Sequence, residues 1–193
     1  MEALIGDHPN VQLHLEIPDA PQKSEESAPI ILCIGASHWT KRLPHARLVA
    51  LGKELLNRTD SDLIIAGGKG DVPKARALQK DLENSSRVRI AAGQSTLSEF
   101  AKLASTARCV ISHDTGPMHI AAAVGVPVVC IANGYTGKDA FWPYPDGRVR
   151  MCLPSSTPRL SDFLPLAQLQ CARAIRSIPL DAILAEVASA LAL

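Results

Sequence analysis

A chain of 193 residues is long enough for one domain, or one and a fraction, at roughly 100–200 residues per domain. Apolar residues make up 47% and charged residues 20%, near the averages of soluble globular proteins, which excludes collagen-like, disordered and coiled-coil classes. The formal charge of +1 is too small to drive binding to nucleic acid or to an anionic membrane, although a locally basic cleft stays open.

The first ten residues carry Glu2 and Asp7 and lack the basic-then-apolar order of a signal peptide. No apolar run approaches the ~18 residues of a membrane span. Cys33, Cys109, Cys130, Cys152 and Cys171 form no CxxC pair, and the first three sit in apolar runs where a reduced thiol packs as a small hydrophobe. A cytoplasmic location is expected. Val11, Leu13, Leu15 and Ile17 alternate with polar residues, which predicts a half-exposed strand. Pro18–Pro29 has linker composition. Residues 1–29 are therefore expected to be an appendage, and residues 30–193 a compact domain.

From Ile30 the pattern becomes regular. Apolar runs at Ile30–Ile34, Leu63–Ala66, Val88–Ala91, Cys109–Ser112 and Val128–Ala132 alternate with helical stretches. Leu48, Leu51, Leu55 and Leu56 stripe the first helix, and Ala75, Leu78 and Leu82 the second. The third opens with Thr96 and Glu99 in capping-box spacing, and the fourth spans Pro117–Val124, with Gly125 just past its end. The pattern predicts an α/β fold, a Rossmann-like parallel sheet with helices on both faces. Further on, Gly134–Gly147 reads as a long loop, Val149–Leu153 as a sixth strand, Pro154–Pro165 as a polar stretch, and Leu180–Leu191 as an amphipathic helix.

Ligands of such sheets bind outside the carboxyl ends of the strands, so the loops there carry the candidate chemistry. The sharpest signal is a strand running through Asp114-Thr115-Gly116 directly onto a helix, whose unpaired N–H groups and positive dipole end suit an anion. Gly116 allows close approach to a phosphate, and Thr115 adds a hydroxyl. Asp114 would repel a phosphate, so it either accepts from a sugar or pins the loop. The plainer alternative is that Asp114 or Thr115 simply caps the helix. Ser37 and Lys41, in the loop after the first strand, offer a hydroxyl and a point charge to a pyrophosphate, against a reading as an ordinary solvated loop. Asp71, after the second strand, is a candidate for ribose hydroxyls or merely part of a solvated turn. His119, one turn into its helix, reaches a phosphate or faces the core.

Other patterns lead nowhere. Asp60-Ser61-Asp62 spells the DxD of metal-dependent sugar-nucleotide enzymes, but it precedes its strand and so falls at the opposite edge of the sheet. The histidines lack HxxxH or HExxH spacing, so no metal site is expected. There is no GxSxG elbow, P-loop or GxGxxG, and an acid ~20 residues beyond such a glycine motif is missing as well, which argues against a hydrolase and a nicotinamide oxidoreductase.

The segment Ser112–Val129 resembles the D-T-G-P-x-H-x-A-A-A-x-G-x-P signature of glycosyltransferase family 9, the ADP-heptose:lipopolysaccharide heptosyltransferases. Gly35-Ala36 with Lys41-Arg42-Leu43-Pro44, Gly93–Leu97, and Cys171 with Ile175 are similar to further segments of that family in the right order. The resemblance covers about Ile30 to Leu193. It implies the C-terminal half of a GT-B fold, which holds a nucleotide-sugar donor. Ser37, Lys41, Thr115 and Gly116 would contact its phosphates. Asp114 would orient the loop or the sugar, His119 support the phosphate site, and Leu97 line the base pocket. The implied reaction is an inverting transfer, without a metal or other cofactor, to a lipopolysaccharide core acceptor. Its general base would lie in an N-terminal half, which the sequence is expected to lack, so the chain would be a fragment or a stand-alone donor domain. The implied setting is the cytoplasm or the cytoplasmic face of the inner membrane, and an apolar cleft face would favour a homodimer. His113 stands where the family usually has Asn or Ser. The competing function is a non-catalytic nucleotide- or partner-binding Rossmann module.

Overall fold

The computed structural model describes residues 15–17, 28–134, 147–156 and 165–192. Six parallel strands form one sheet: β1 (Ile30–Cys33), β2 (Leu63–Ala66), β3 (Val88–Ile90), β4 (Cys109–His113), β5 (Val128–Ile131) and β6 (Val149–Cys152). Their spatial order is β3-β2-β1-β4-β5-β6. The connecting helices are α1 (His45–Arg58), α2 (Val72–Asp81), α3 (Leu97–Ser105) and α4 (Gly116–Ala123), with α5 (Pro165–Ser177) and α6 (Leu180–Leu191) closing the chain. Ile30 lies opposite Leu63 on one side and Cys109 on the other, so the central strands end level and their loops share one edge.

Alternation along each strand builds two cores. Ile30, Leu32, Leu63, Ile65, Ile111 and Val129 face the layer of α1, α2 and α6, with Leu51, Leu78 and Ile183. Ile31, Cys33, Ile64, Val110 and Cys130 face α3 and α4, with Phe100, Met118 and Ala121. Both faces being covered explains the unbroken apolar runs. All five cysteines are buried thiols outside any disulfide.

The strand expected at Val11–Ile17 is not formed where it is described. Residues 15–17 have no ladder partner, and the Leu15 amide instead donates to the Ala123 carbonyl at 2.8 Å, taking up one open acceptor at the end of α4. Residues 11–14, 135–146 of the long loop and 157–164 of the polar stretch lie outside the described residues. The sequence did not point to α5, because among the described side chains its buried side is made of Ala167, Cys171, Ala172 and Ala174, with Ile175 the one large member. Small side chains leave a weak periodic signal. Among the described residues, no helix is long and apolar enough to cross a membrane.

Candidate functional site

Four loops meet over the carboxyl ends of β1, β2, β3 and β4 and enclose a cleft of about 350 Å³. Its walls are Gly35–Ser37, Gly67–Gly68 with Asp71, Ser95–Leu97 with Phe100, and Thr115–Pro117. Ser37, Asp71, Leu97, Thr115 and Gly116 thus share one hollow. Lys41, Asp114 and His119 stand beside it rather than in its lining. A larger hollow of about 540 Å³, between Trp39, Pro44, Pro73 and Arg176, holds none of these eight residues.

The turn from β4 to α4 brings a helix N-terminus to the cleft. Thr115 occupies the N-cap position, yet its side chain makes no cap bond, and the hydroxyl donates to the His113 carbonyl at 3.3 Å. Pro117 has no N–H. The Met118 amide folds back on the Thr115 carbonyl at 3.0 Å. Among the described residues, apart from its chain neighbours and its own helix backbone, no atom lies within 4 Å of where a Gly116 Cβ would stand. The positive end of α4 therefore faces the cleft without a side-chain cap.

Asp114 pins its loop. Lys41 donates from Nζ to Asp114 Oδ2 at 2.8 Å and to the Asp114 carbonyl at 3.3 Å. The Asp114 side chain is only 8% exposed. Two of the three ammonium donors of Lys41 are thereby used, and the cation is held instead of waving in solvent. His119, half-buried on α4, has its pKa lowered, chiefly by burial; Asp114 opposes this shift and Lys41 adds to it. A neutral imidazole therefore accompanies the pair.

Asp71 is engaged on both oxygens. Arg42 donates to Oδ1 at 3.2 Å and the Gly68 amide to Oδ2 at 3.1 Å. A Cβ on Gly35 would lie 2.5 Å from Asp71 Oδ2, so the carboxylate fits only against glycine. Arg42 also donates to the Ala36 carbonyl through Nε at 3.0 Å, joining the loops after β1 and β2.

His113 is 1% exposed and lies under the β1 loop, away from the cleft lining. Its Nδ1 meets the Gly35 carbonyl at 3.2 Å, and its Nε2 accepts from the Leu43 amide at 3.0 Å. Burial pushes its pKa down to about 4; Gly35 and Asp71 oppose that shift and Arg42 assists it. Neither Arg42 nor His113 stood out as a site residue in the sequence, since a polar residue in a loop looks the same whether it is solvated or locked.

Leu97 is 72% exposed at the lip of the cleft. It is the first residue of α3, whose start is fixed by the expected capping box: Thr96 Oγ1 accepts from the Glu99 amide at 3.3 Å and Glu99 Oε2 accepts from the Thr96 amide at 2.7 Å. The Thr96 amide, and the Thr96 hydroxyl donating to the same Oε2 at 2.8 Å, hold the Glu99 carboxyl below its ordinary value.

A parallel sheet in this order, with a cleft over its carboxyl edge at the crossover between β1 and β4, is a Rossmann-like α/β domain. The chain belongs to glycosyltransferase family 9 (heptosyltransferase), whose family model matches residues 8–162. Lipooligosaccharide heptosyltransferase 2 of Haemophilus ducreyi is 34% identical over 111 residues, covering 55% of this chain and 32% of the relative. The solved E. coli ADP-heptose LPS heptosyltransferase II has a TM-score of 0.70 at 20% identity, covering 93% of this chain and 53% of that one. A family 9 glycosyltransferase from Veillonella parvula gives 0.65 at 18% identity, covering 88% and 47%. An E. coli heptosyltransferase solved with ADP-2-deoxy-2-fluoro heptose gives 0.64 at 15% identity, covering 89% and 45%. The chain spans about a third of the curated relative's length and about half that of the solved ones. Its fold is that of one Rossmann-like half of a GT-B heptosyltransferase.

Proposed function

We propose that this chain is the donor-binding half of a heptosyltransferase-type glycosyltransferase, holding ADP-heptose or a related nucleotide sugar for inverting transfer to a lipopolysaccharide core acceptor. One observation carries the reading: the Gly35–Ser37 loop and the Thr115–Gly116 turn line the same cleft. In that cleft the donor diphosphate sits over the positive end of α4, with Ser37 and Thr115 as hydroxyl donors. The third N–H of Lys41, fixed by Asp114, adds charge at its side. Leu97 and Phe100 form an apolar wall for the base, and Asp71 remains the candidate for ribose. His119 supports the phosphate side.

In the reaction, an acceptor hydroxyl oxygen bonds to the anomeric carbon as the bond from that carbon to the diphosphate oxygen breaks. The hydroxyl proton passes to a carboxylate supplied by an N-terminal half, and the leaving diphosphate takes the electron pair. Fixed dipoles and a cation already aimed at the leaving group lower the barrier without reorganising. No metal is required. The setting is the cytoplasmic side of the inner membrane, where such an acceptor would be met.

Calorimetry with ADP tests the reading. Lys41→Ala and Thr115→Ala should each weaken binding about tenfold or more, the loss typical of a hydrogen bond to a charged group. If ADP, UDP and GDP at millimolar levels all leave the melting temperature unchanged, the donor site is refuted. Binding without transfer, with a partner half supplied, would favour the non-catalytic module.

A further inference from the structure

We propose that His113 is a positioning residue for the cleft, one neutral imidazole that ties both ends of the 35–43 loop to the carboxyl end of β4. The proposal rests on the donor-site reading, because that reading gives the loop its task. The two partners fix the chemistry of the ring. A Gly35 carbonyl can only accept, so Nδ1 must carry the proton and donate at 3.2 Å. The Leu43 amide can only donate, so Nε2 must keep its lone pair and accept at 3.0 Å. One tautomer of the neutral ring satisfies both, and a protonated ring would set Nε2–H against an amide N–H.

The loop so closed carries the groups the donor needs. Ser37 lines the cleft, and Lys41 is bonded to Asp114, the very next residue after His113. Adjacent residues at one strand end thus hold the loop at its two ends and at Lys41, one through a neutral ring and one through a charge. The charged groups facing the ring are Arg42, from the same loop, and Asp71, from the loop after β2; they are bonded to each other at 3.2 Å. The ring is sealed from water, so its bonds face no competing solvent.

Three measurements on the chain test this, with ADP as the probe. Ring 15N spectra should show the neutral Nδ1–H tautomer from about pH 8 to pH 6. In His113→Leu, amides of the 35–43 loop should exchange about tenfold faster or more, with those of β5 unchanged. The dissociation constant for ADP should rise about fivefold or more, the loss of a loop-ordering contact. His113→Asn, whose short amide reaches Gly35 but not Leu43, should fall between. A core variant on α6, Val187→Ala, compared at matched unfolding stability, should leave ADP affinity intact, which separates positioning from mere stability.

An Nε2–H tautomer in the wild type, or unchanged loop exchange in both variants, would overturn the clamp. A loosened loop with full ADP affinity would overturn the positioning role. If the wild type fails to bind ADP, the donor reading falls, while tautomer and exchange still decide the clamp. Should neither variant fold, the wild-type tautomer decides it.

Discussion

The two edges of the sheet are made from the same strands but hold polar groups very differently. At the amino edge, Asp62 pairs with Arg89 in the open, with side chains 38% and 60% exposed, and Ser61 is the one buried polar side chain among the described residues there. At the carboxyl edge, Thr40, Asp71, Ser112, His113, Asp114 and Asn133 are all buried. Most are bonded to a loop from another strand: His113 to Gly35 and Leu43, Asp114 to Lys41, Asp71 to Arg42, Asn133 to the Thr40 carbonyl at 3.3 Å. Buried polarity is unfavourable unless its partners are in place. Its concentration at one edge therefore marks where the fold gives up easy packing for fixed geometry. In the DxD at the other edge Asp60 is exposed and Asp62 pairs with Arg89, while the buried Ser61 accepts from Arg108 at 3.2 Å, so the segment is tied down as a turn with its carboxylates toward solvent.

The contrast can be broken experimentally. The largest effect is expected from Asp114→Ala, which leaves a mostly buried ammonium without its carboxylate. Urea unfolding should show a loss of about 3 kcal/mol, at the lower end for a broken buried pair because Lys41 keeps some solvent. A loss below about 0.5 kcal/mol would place this pair with ordinary surface ion pairs.

Next comes pH. His113 is neutral in the folded state down to about 4 but takes a proton near its ordinary value of 6.5 once unfolded. Its contribution is therefore complete above 6.5 and is lost as pH falls toward 4. Between about pH 7.5 and 5 the loss should be about 2 kcal/mol, with a smaller addition of the same sign from His119. Urea midpoints across that range should show most of the slope gone in His113→Asn.

Gly35→Ala should lower stability by about 1–2 kcal/mol, because the new methyl drives the Asp71 carboxylate from Arg42 and Gly68. Thermal melts measure it, and an unchanged melting temperature would mean that Asp71 moves freely. The smallest effect belongs to the amino edge. Asp62→Asn should stay within about 0.5 kcal/mol and leave ADP binding untouched, as calorimetry would show.

The architecture was legible because fully apolar strands such as Ile30–Cys33 and Leu63–Ala66 carry their signal in composition alone. The turn at Asp114–Gly116 was legible for a similar reason, since strand, turn and helix start are contiguous. The helix α5 was not, for its buried stripe is mostly Ala and Cys. In Val11–Ile17 the alternation was present, but at the described residues 15–17 Leu15 is 44% exposed and no strand pairs with them, so period two alone does not supply a ladder partner. Within the site, the sequence supplied the residues of the Lys41–Asp114 pair but not the pairing, which joins positions 73 apart. The roles of Arg42 and His113 depend on which backbone groups they meet, and no local pattern encodes that.

The buried thiols give the protein an internal reporter. Cys33, Cys109 and Cys152 are pushed up to about 12 by burial, so almost no thiolate is present at neutral pH. A maleimide dye would label the interior only when a strand lets go. With all but one cysteine replaced, the labelling rate of Cys33, Cys130 or Cys152 would time the opening of the middle, the flank and the rim of the sheet separately.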